Sequence, residues 1–182
     1  MIADQELFFQ KGGDIYHAFY RNEKWGTPQK LPMNTEHIET NPHYDAQNQM
    51  LYWASNRNGN FDIWQSQRNQ ESQKWGKAQL VSGDVNSKAK EDQPFVQNGE
   101  MRFSRDGQAG NMVAKFTGGK WLGSKPEKLG TDLYHAEISV SFDGQTAWFV
   151  AGDAKDEKMR FMKVEKQADG QWGQAVEMPI TK

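Results

Sequence analysis

The chain repeats one pattern of apolar and polar positions four times. Each copy has two short β-rich runs joined by a turn, a third such run, and a Trp that opens a loop ending at an apolar residue. The Trp residues are spaced 50, 46 and 51 positions apart, at Trp25, Trp75, Trp121 and Trp172. No stretch shows the apolar spacing of three and four positions that predicts a helix. A period of this length in such a chain is typical of β-propeller blades, and it indicates that the four Trp rings pack in the core.

Turn signals divide each copy into strands. Asn98-Gly99 and Asp143-Gly144 favour tight hairpins because both turn positions tolerate positive φ, and Gln47-Asn48 takes their place in the second copy. The last three copies each contain four strands, whereas nothing precedes residues 6–10 to supply the first strand of the first copy. The sequence therefore predicts an all-β fold, a small propeller of four blades. Each blade is an antiparallel sheet of up to four strands, and the first blade is incomplete.

The same period predicts the domain organisation. We expect a single propeller domain over residues 1–182, with blades at approximately 1–35, 36–86, 87–132 and 133–182. Leu, Ile, Val and Phe together supply only 31 of the 182 residues, but aromatic residues reach 12%. Large rings bury as much apolar area as several small side chains, so a core based on Trp, Phe and Tyr can stabilise the domain.

Charge and composition exclude several classes of partner and chemistry. The formal net charge is −2 with both signs interspersed, which argues against nucleic acid and anionic membrane surfaces as partners. No run approaches the roughly 20 apolar residues of a membrane span. The absence of Cys excludes disulfides, thiol catalysis and Cys-ligated metals. No phosphate-binding Gly loop, dinucleotide fingerprint or zinc-protease motif is present, so we expect neither a cofactor nor a metal.

Five ionisable residues form the candidate ligand site. In a propeller the first strand of each blade lines the central channel, so side chains from successive blades meet at its mouth. Carboxylates and imidazoles gathered in a concave site could bind a cation, a sugar or a peptide amine. The alternative is structural, because each Glu could accept backbone N–H bonds as a device repeated with the blade. The five residues are Glu39, His43, Glu91, His135 and Glu137.

The repeat resembles the TolB-like propeller repeat of bacterial envelope proteins. The second copy carries most of the pattern, in Glu39, Pro42, Leu51-Tyr52-Trp53, Ser55, Arg57, Gly59, Asp62-Ile63-Trp64 and Trp75-Gly76. Further copies occur at Glu91, Pro94, Phe103 and Ser104 and at Ser141, Asp143-Gly144 and Phe149. The resemblance implies a propeller that serves as a binding platform in the bacterial envelope.

These observations favour a non-enzymatic binding module that engages a protein partner or a small ligand at the mouth of the propeller channel. The alternative is a carbohydrate-active propeller, either a glycoside hydrolase or a lectin. A hydrolase would need two of the carboxylates of Glu39, Glu91 and Glu137 to lie roughly 5 to 9.5 Å apart across the substrate. An enzyme is the less favoured interpretation.

The resemblance also bears on location and assembly. It implies a periplasmic or extracellular protein if a leader has been removed, and the cytoplasm stays open because a chain without Cys suits either compartment. The first blade lacks its innermost strand, and an unpaired sheet edge invites association. We expect no membrane insertion, and we favour a monomer over a homo-oligomer.

Overall fold

The computed structural model describes residues 5–108, 110–152 and 158–179, and this part of the chain contains strands and no helix. Sixteen strands form four antiparallel sheets, each built from consecutive strands. The first two sheets contain β1 (Gln5–Lys11), β2 (Asp14–Arg21), β3 (Lys24–Trp25) and β4 (Gln29–Lys30), then β5 (Glu39–Asp45), β6 (Met50–Ser55), β7 (Asp62–Gln67) and β8 (Gln79–Leu80). The last two contain β9 (Glu91–Gln97), β10 (Glu100–Arg105), β11 (Asn111–Thr117) and β12 (Lys120–Pro126), then β13 (Tyr134–Val140), β14 (Thr146–Gly152), β15 (Met159–Glu165) and β16 (Val176–Glu177). The predicted all-β fold, a four-bladed propeller, is confirmed.

The chain divides into two compact units. The first unit comprises the described residues of Met1–Ser82 and Asn86–Pro94, and the second comprises those of Gly83–Val85 and Phe95–Lys182. Each unit has its own apolar cluster. The cluster of the first unit contains Ile15, Leu31, Met33, Leu51 and Trp53, and that of the second contains Leu129, Ile138, Val140, Ala147, Phe149, Ala151, Met162 and Val164. The organisation as one domain with four blade boundaries stays a prediction.

Alternation of side chains along the strands explains how the sheets bury their faces. In β14 the residues Ala147, Phe149 and Ala151 are buried, while the residues between them are partly exposed. Successive side chains of a strand point to opposite faces of the sheet, so this period of two places one row in the core. The buried row alternates small and large side chains, which lets a single Phe ring occupy the space beside two Ala residues.

The first sheet differs from the others. Its strands β3 and β4 both pair with β2, at Tyr20–Trp25 and Tyr16–Lys30, so they occupy successive parts of one strand position. Within the described residues β1 is the edge strand of this sheet, and β2 is its paired neighbour. The first blade therefore has three strand positions, as the sequence predicts. Leu7 on β1 is correspondingly exposed, whereas Leu51 on β6 is fully buried.

The first strands of the other three sheets share a backbone irregularity. The register of β5 shifts between Thr40 and His43, and that of β13 shifts between Ala136 and Ser139. Asn41 in β5, Gln93 in β9 and Glu137 in β13 all have positive φ, between 50° and 56°. A β-bulge with one residue in the left-handed region bends a strand and redirects its side chains. The bulge therefore changes which side chains of these strands lie on the same face of the sheet.

The four Trp residues that mark the repeat do not have one environment. Trp121 is 3% exposed, Trp75 and Trp172 are half-buried, and Trp25 is 48% exposed beside Tyr20, with 5.2 Å between ring centroids. The expectation that all four pack in the core is therefore wrong for Trp25. In the first blade the Trp lies on the short strand β3, where its ring packs beside Tyr20 of the neighbouring strand β2.

This difference predicts unequal losses of stability. Trp121→Ala should lower the free energy of unfolding by about 3–5 kcal/mol, as for other buried rings, whereas Trp25→Ala should cost about 1 kcal/mol or less. Urea denaturation of the two variants beside the parent measures both values. Equal losses would show that Trp25 packs as deeply as Trp121.

Candidate functional site

Glu39, the first predicted site residue, is fully buried at the start of β5. Its Oε2 accepts a hydrogen bond from the backbone N–H of Thr35 at 2.9 Å, and its Oε1 accepts one from the Thr35 hydroxyl at 2.8 Å. The same Oε1 accepts bonds from Ser55 Oγ at 2.9 Å and from Arg57 Nη2 at 3.0 Å. Arg57 also donates to the Met33 carbonyl at 3.0 Å. The carboxylate therefore ties the linker between the first two blades to strand β6 and the loop that follows it.

Glu91 holds the next linker in the same way. It is fully buried at the start of β9, and its Oε2 accepts the backbone N–H of Ser87 at 3.0 Å while its Oε1 accepts the Ser87 hydroxyl at 2.5 Å. In both copies the hydroxyl residue lies four positions before the Glu. Backbone N–H acceptance by a repeated Glu is the structural alternative stated for these residues, and this geometry favours it.

An Asn before each hydroxyl residue completes the motif. Asn34 Oδ1 accepts the N–H of Ile15 at 2.7 Å, and its Nδ2 donates to the carbonyl of Ile15 at 2.8 Å. Asn86 makes the corresponding bonds to Ile63, at 2.7 and 2.9 Å. We name the arrangement of Asn, Thr or Ser, and Glu the linker latch. The two Asn residues are not among the predicted site residues, although the recurring spacing Asn-Thr/Ser-x-x-x-Glu is visible in the chain.

His135 takes the position of the latch Glu at the start of the fourth blade. It is buried, and its Nδ1 accepts the backbone N–H of Asn111 at 3.2 Å. Because a backbone N–H can only donate, Nδ1 carries no proton and the imidazole is neutral. Burial lowers the pKa of His135 below its ordinary value, and the nearby charge of Glu127 opposes this only in part. Gly110 packs against the ring so closely that a Cβ at this position would collide with it.

The remaining two predicted residues are less enclosed. His43 is half-buried on β5, directly after the bulge and opposite Tyr52. Glu137 is exposed and is the positive-φ residue in the bulge of β13. Ligand binding by the five residues stays a prediction. The carboxylate of Glu137 is exposed to solvent. The side chains of Glu39, Glu91 and His135 are buried and hydrogen-bonded inside their units.

A polar cleft in the first unit was not predicted from the sequence. It has a volume of about 670 Å³ and lies between the turn joining β5 to β6 and the loop from Gln67 to Gly76. We name it the Arg68 cleft. Arg68, Ser72, Lys74 and Trp75 line it together with six side-chain amides, and its lining contains no carboxylate. The amides are Gln47, Asn48, Gln49, Gln67, Asn69 and Gln70.

A charge network fixes the inner wall of this cleft. Arg68 is 8% exposed, and its Nη1 donates to Glu6 Oε2 at 2.6 Å. The other carboxylate oxygen of Glu6 lies 2.6 Å from His17 Nδ1. The guanidinium of Arg68 also lies over the Trp75 ring, 5.3 Å from its centroid. Trp75 in turn makes edge-to-face contacts with Phe8 and Tyr44, each at 6.0 Å between centroids. The wall is therefore preorganised by ionic and aromatic contacts.

The polar wall and single aromatic residue of the Arg68 cleft suit reversible binding of a hydrogen-bonding ligand. Its volume lies within the range of about 300–1,000 Å³ that is usual for small-molecule sites. Among the described residues, no group of three or more His, Asp or Glu side chains could hold a metal ion. A search of the same part of the chain for a helix able to cross a membrane finds none.

Comparisons with known proteins bear on the fold. No family model matches the sequence, and no curated protein is detectably similar to it. Among solved structures, a TolB of Agrobacterium tumefaciens has a TM-score of 0.60 at 16% identity, over 90% of this chain and 55% of that one. A chain of the nidogen/laminin complex has a TM-score of 0.65 at 11% identity, over 96% of this chain and 61% of that one.

A third neighbour is an endo-1,4-β-xylanase of Bacteroides thetaiotaomicron, with a TM-score of 0.56 at 16% identity, over 97% of this chain and 71% of that one. At these identities the similarity establishes the fold alone. The chain spans 55% of the TolB structure and 61% of the nidogen/laminin chain. The predicted resemblance to a TolB-like propeller is confirmed at the level of the fold.

The linker latch predicts a large effect of a small change. Glu39→Gln keeps the side-chain volume but leaves Arg57 without its buried carboxylate. It also places an N–H donor next to groups that themselves donate hydrogen bonds to this position. We expect a loss of about 3–5 kcal/mol in the free energy of unfolding. Denaturant unfolding measures it, with the exposed Glu36→Gln of the same linker as the matched control. A loss equal to that of the control would contradict the latch.

The buried imidazole of His135 predicts a dependence of stability on pH. The folded-state pKa is lowered, so the unfolded chain binds a proton first as the pH falls below about 6.5, the ordinary value. The full stability is present above that pH and is lost as the pH falls towards the folded-state pKa. Melting temperatures measured from pH 8 to pH 5 should decline less steeply for His135→Gln than for the parent. The exposed His37→Gln should keep the parental slope, and an unchanged slope in His135→Gln would refute the assignment.

Proposed function

We propose that this chain is a non-enzymatic binding module of propeller fold that engages a protein partner or a small ligand. The observation that carries the proposal is the state of Glu39 and Glu91. Both carboxylates are fully buried and accept hydrogen bonds from their own linkers. A general acid or a nucleophile of a glycoside hydrolase must reach the substrate, which these two side chains do not. The residues that looked most suited to catalysis therefore have structural contacts instead.

Two features support a binding role. The Arg68 cleft presents amides, a hydroxyl and an aromatic ring on a wall held by the Glu6–Arg68 pair. The fold is also shared with a chain of the nidogen/laminin complex, a protein that assembles with another protein. His43 in the first unit and Glu137 in the second are further candidate contacts, each on the first strand of its own blade.

A carbohydrate-active propeller is the second candidate function. The lining of the Arg68 cleft favours it, because side-chain amides and an aromatic ring suit a sugar. The same lining contains no carboxylate, which favours a lectin over a hydrolase at this position. The fold neighbour with a xylanase name does not decide between the two, since the identity is 16%.

Location and assembly belong to the same proposal. The TolB-like fold supports a place in the bacterial envelope, in the periplasm or outside the cell. Within the described residues β1 is an edge strand, a position at which chains can associate, but we propose a monomer over a homo-oligomer. Fractionation of the producing cells and light scattering of the purified protein test these two statements.

A turnover assay tests the absence of catalysis. The purified protein is incubated with a panel of nitrophenyl glycosides, and product release is compared among the parent, Glu39→Gln, Glu91→Gln and Glu137→Gln. We expect no release above the buffer rate for any of the four proteins. Release by the parent above the buffer rate would overturn the proposal, and its loss in a variant that still melts at the parental temperature would identify the catalytic carboxylate.

A further inference from the structure

We infer that the Arg68 cleft is a saccharide-binding site, with a preference for acidic sugars such as uronates. The inference rests on the proposed binding function and assigns it a position and a ligand class. The cleft lies wholly in the second blade, between the β5–β6 turn and the loop that precedes Gly76.

Unpaired amides provide the hydrogen bonds that a saccharide requires. The side chains of Gln47, Gln67 and Gln70 line the cleft and make no hydrogen bond within the described residues. A side-chain amide offers both a donor and an acceptor, and a sugar hydroxyl needs both. Three such amides on two facing loops match a ligand with several neighbouring hydroxyls, and they suit a purely apolar ligand poorly.

The loop that carries these amides is internally fixed. Asn69 Oδ1 accepts the N–H of Ser72 at 2.8 Å and its hydroxyl at 2.9 Å, and Asn69 N–H donates to the Lys74 carbonyl at 2.9 Å. On the other side, Tyr44 donates to Gln49 Oε1 at 2.9 Å, and Gln49 Nε2 donates to the Ala46 carbonyl at 2.8 Å. A site fixed before the ligand arrives loses less conformational entropy on binding. The two sides of the cleft are therefore ready to bind without reordering.

The cleft also contains one aromatic surface. Trp75 is half-buried, and it is the aromatic residue among those that line the cleft. Its ring is held by edge-to-face contacts with Phe8 and Tyr44 and by the guanidinium of Arg68, so it does not need to move to meet a ligand. A flat ring beside polar groups matches a sugar, which has an apolar C–H face and a rim of hydroxyls.

Charge selects among saccharides. The charge of Arg68 is met by Glu6 at 2.6 Å, whereas Lys74 makes no ion pair within the described residues. The lining contains no carboxylate, so the exposed ammonium group of Lys74 gives the cleft a positive charge. This charge favours a sugar carboxylate and disfavours an amino sugar.

The fourth blade provides a matched comparison. A smaller cleft of about 370 Å³ lies there beside the corresponding loop, where Lys166 pairs with Trp172 as Arg68 pairs with Trp75. Its lining includes Glu165, which forms an ion pair with Lys163 at 2.6 Å. Two side-chain amides line this cleft, against six in the Arg68 cleft, and one of the two, the exposed Gln174, supplies a control position.

Binding to defined oligosaccharides tests the inference. The parent is screened against an array of neutral, amino and uronate oligosaccharides, and the best ligand is then titrated calorimetrically. The variants are the double change Gln67→Ala/Gln70→Ala, the single change Lys74→Ala and the control Gln174→Ala. All four positions are exposed, so each variant should fold as the parent does, and a melting curve confirms this.

We expect the parent to bind a uronate more tightly than its neutral counterpart. The double variant should bind it about tenfold more weakly, because each missing amide removes a hydrogen bond to the ligand. Lys74→Ala should remove the preference for uronate over neutral sugar, and Gln174→Ala should leave the affinity within about twofold of the parent.

The other outcomes separate this inference from the proposed function. Binding that the double variant retains would overturn the Arg68 cleft as the site and leave the binding function standing. No binding of any saccharide would overturn the ligand class. Cleavage of a bound oligosaccharide would overturn the non-enzymatic function itself.

Discussion

The structure depends on satisfying the backbone polar groups of the linkers between blades. A linker packed against a sheet places N–H and carbonyl groups where water cannot reach them, and each unpaired group would cost about 1–3 kcal/mol. In the first unit, the linker residues Asn34 and Asn86 pair with both backbone polar groups of Ile15 in β2 and Ile63 in β7, and Asn34 also donates to the Leu31 carbonyl of its own linker at 2.8 Å. Glu39 and Glu91 then hold the next residue of each linker. This pairing recurs in the two linkers that precede the second and third blades.

The same chemistry explains why the two acidic residues that recur with the repeat are enclosed. A buried carboxylate is stable only when several donors surround it, and Glu39 has four from Thr35, Ser55 and Arg57. Those donors occupy the oxygen atoms that a substrate would need. The residues that recur with the repeat therefore hold the linkers in place. The residues available for a ligand lie in loops that differ from one blade to the next.

The Arg68 cleft contains both kinds of residue, those that recur with the repeat and those that differ between blades. The pairing of a cation with the Trp of the repeat recurs, as Arg68 with Trp75 and as Lys166 with Trp172. Six side-chain amides line the cleft around Arg68, whereas the corresponding cleft of the fourth blade has two amides and a Lys–Glu pair. A common backbone thus presents different side chains at each loop, which is how a propeller acquires a binding site without changing its sheets.

The sequence by itself determined the architecture. Four Trp-marked copies with hairpin turns predict four antiparallel sheets, and the missing first strand of the first copy follows from counting, because strand period and turn chemistry are local properties. Tertiary structure decided the environment of Trp25, the bulges at Asn41 and Glu137 and the enclosure of Glu39 and His135. It also brought residues 47–49 and 67–76 together in one cleft. These features depend on contacts between residues that are far apart in the sequence. The pattern of residues along the chain does not specify which of those residues come into contact.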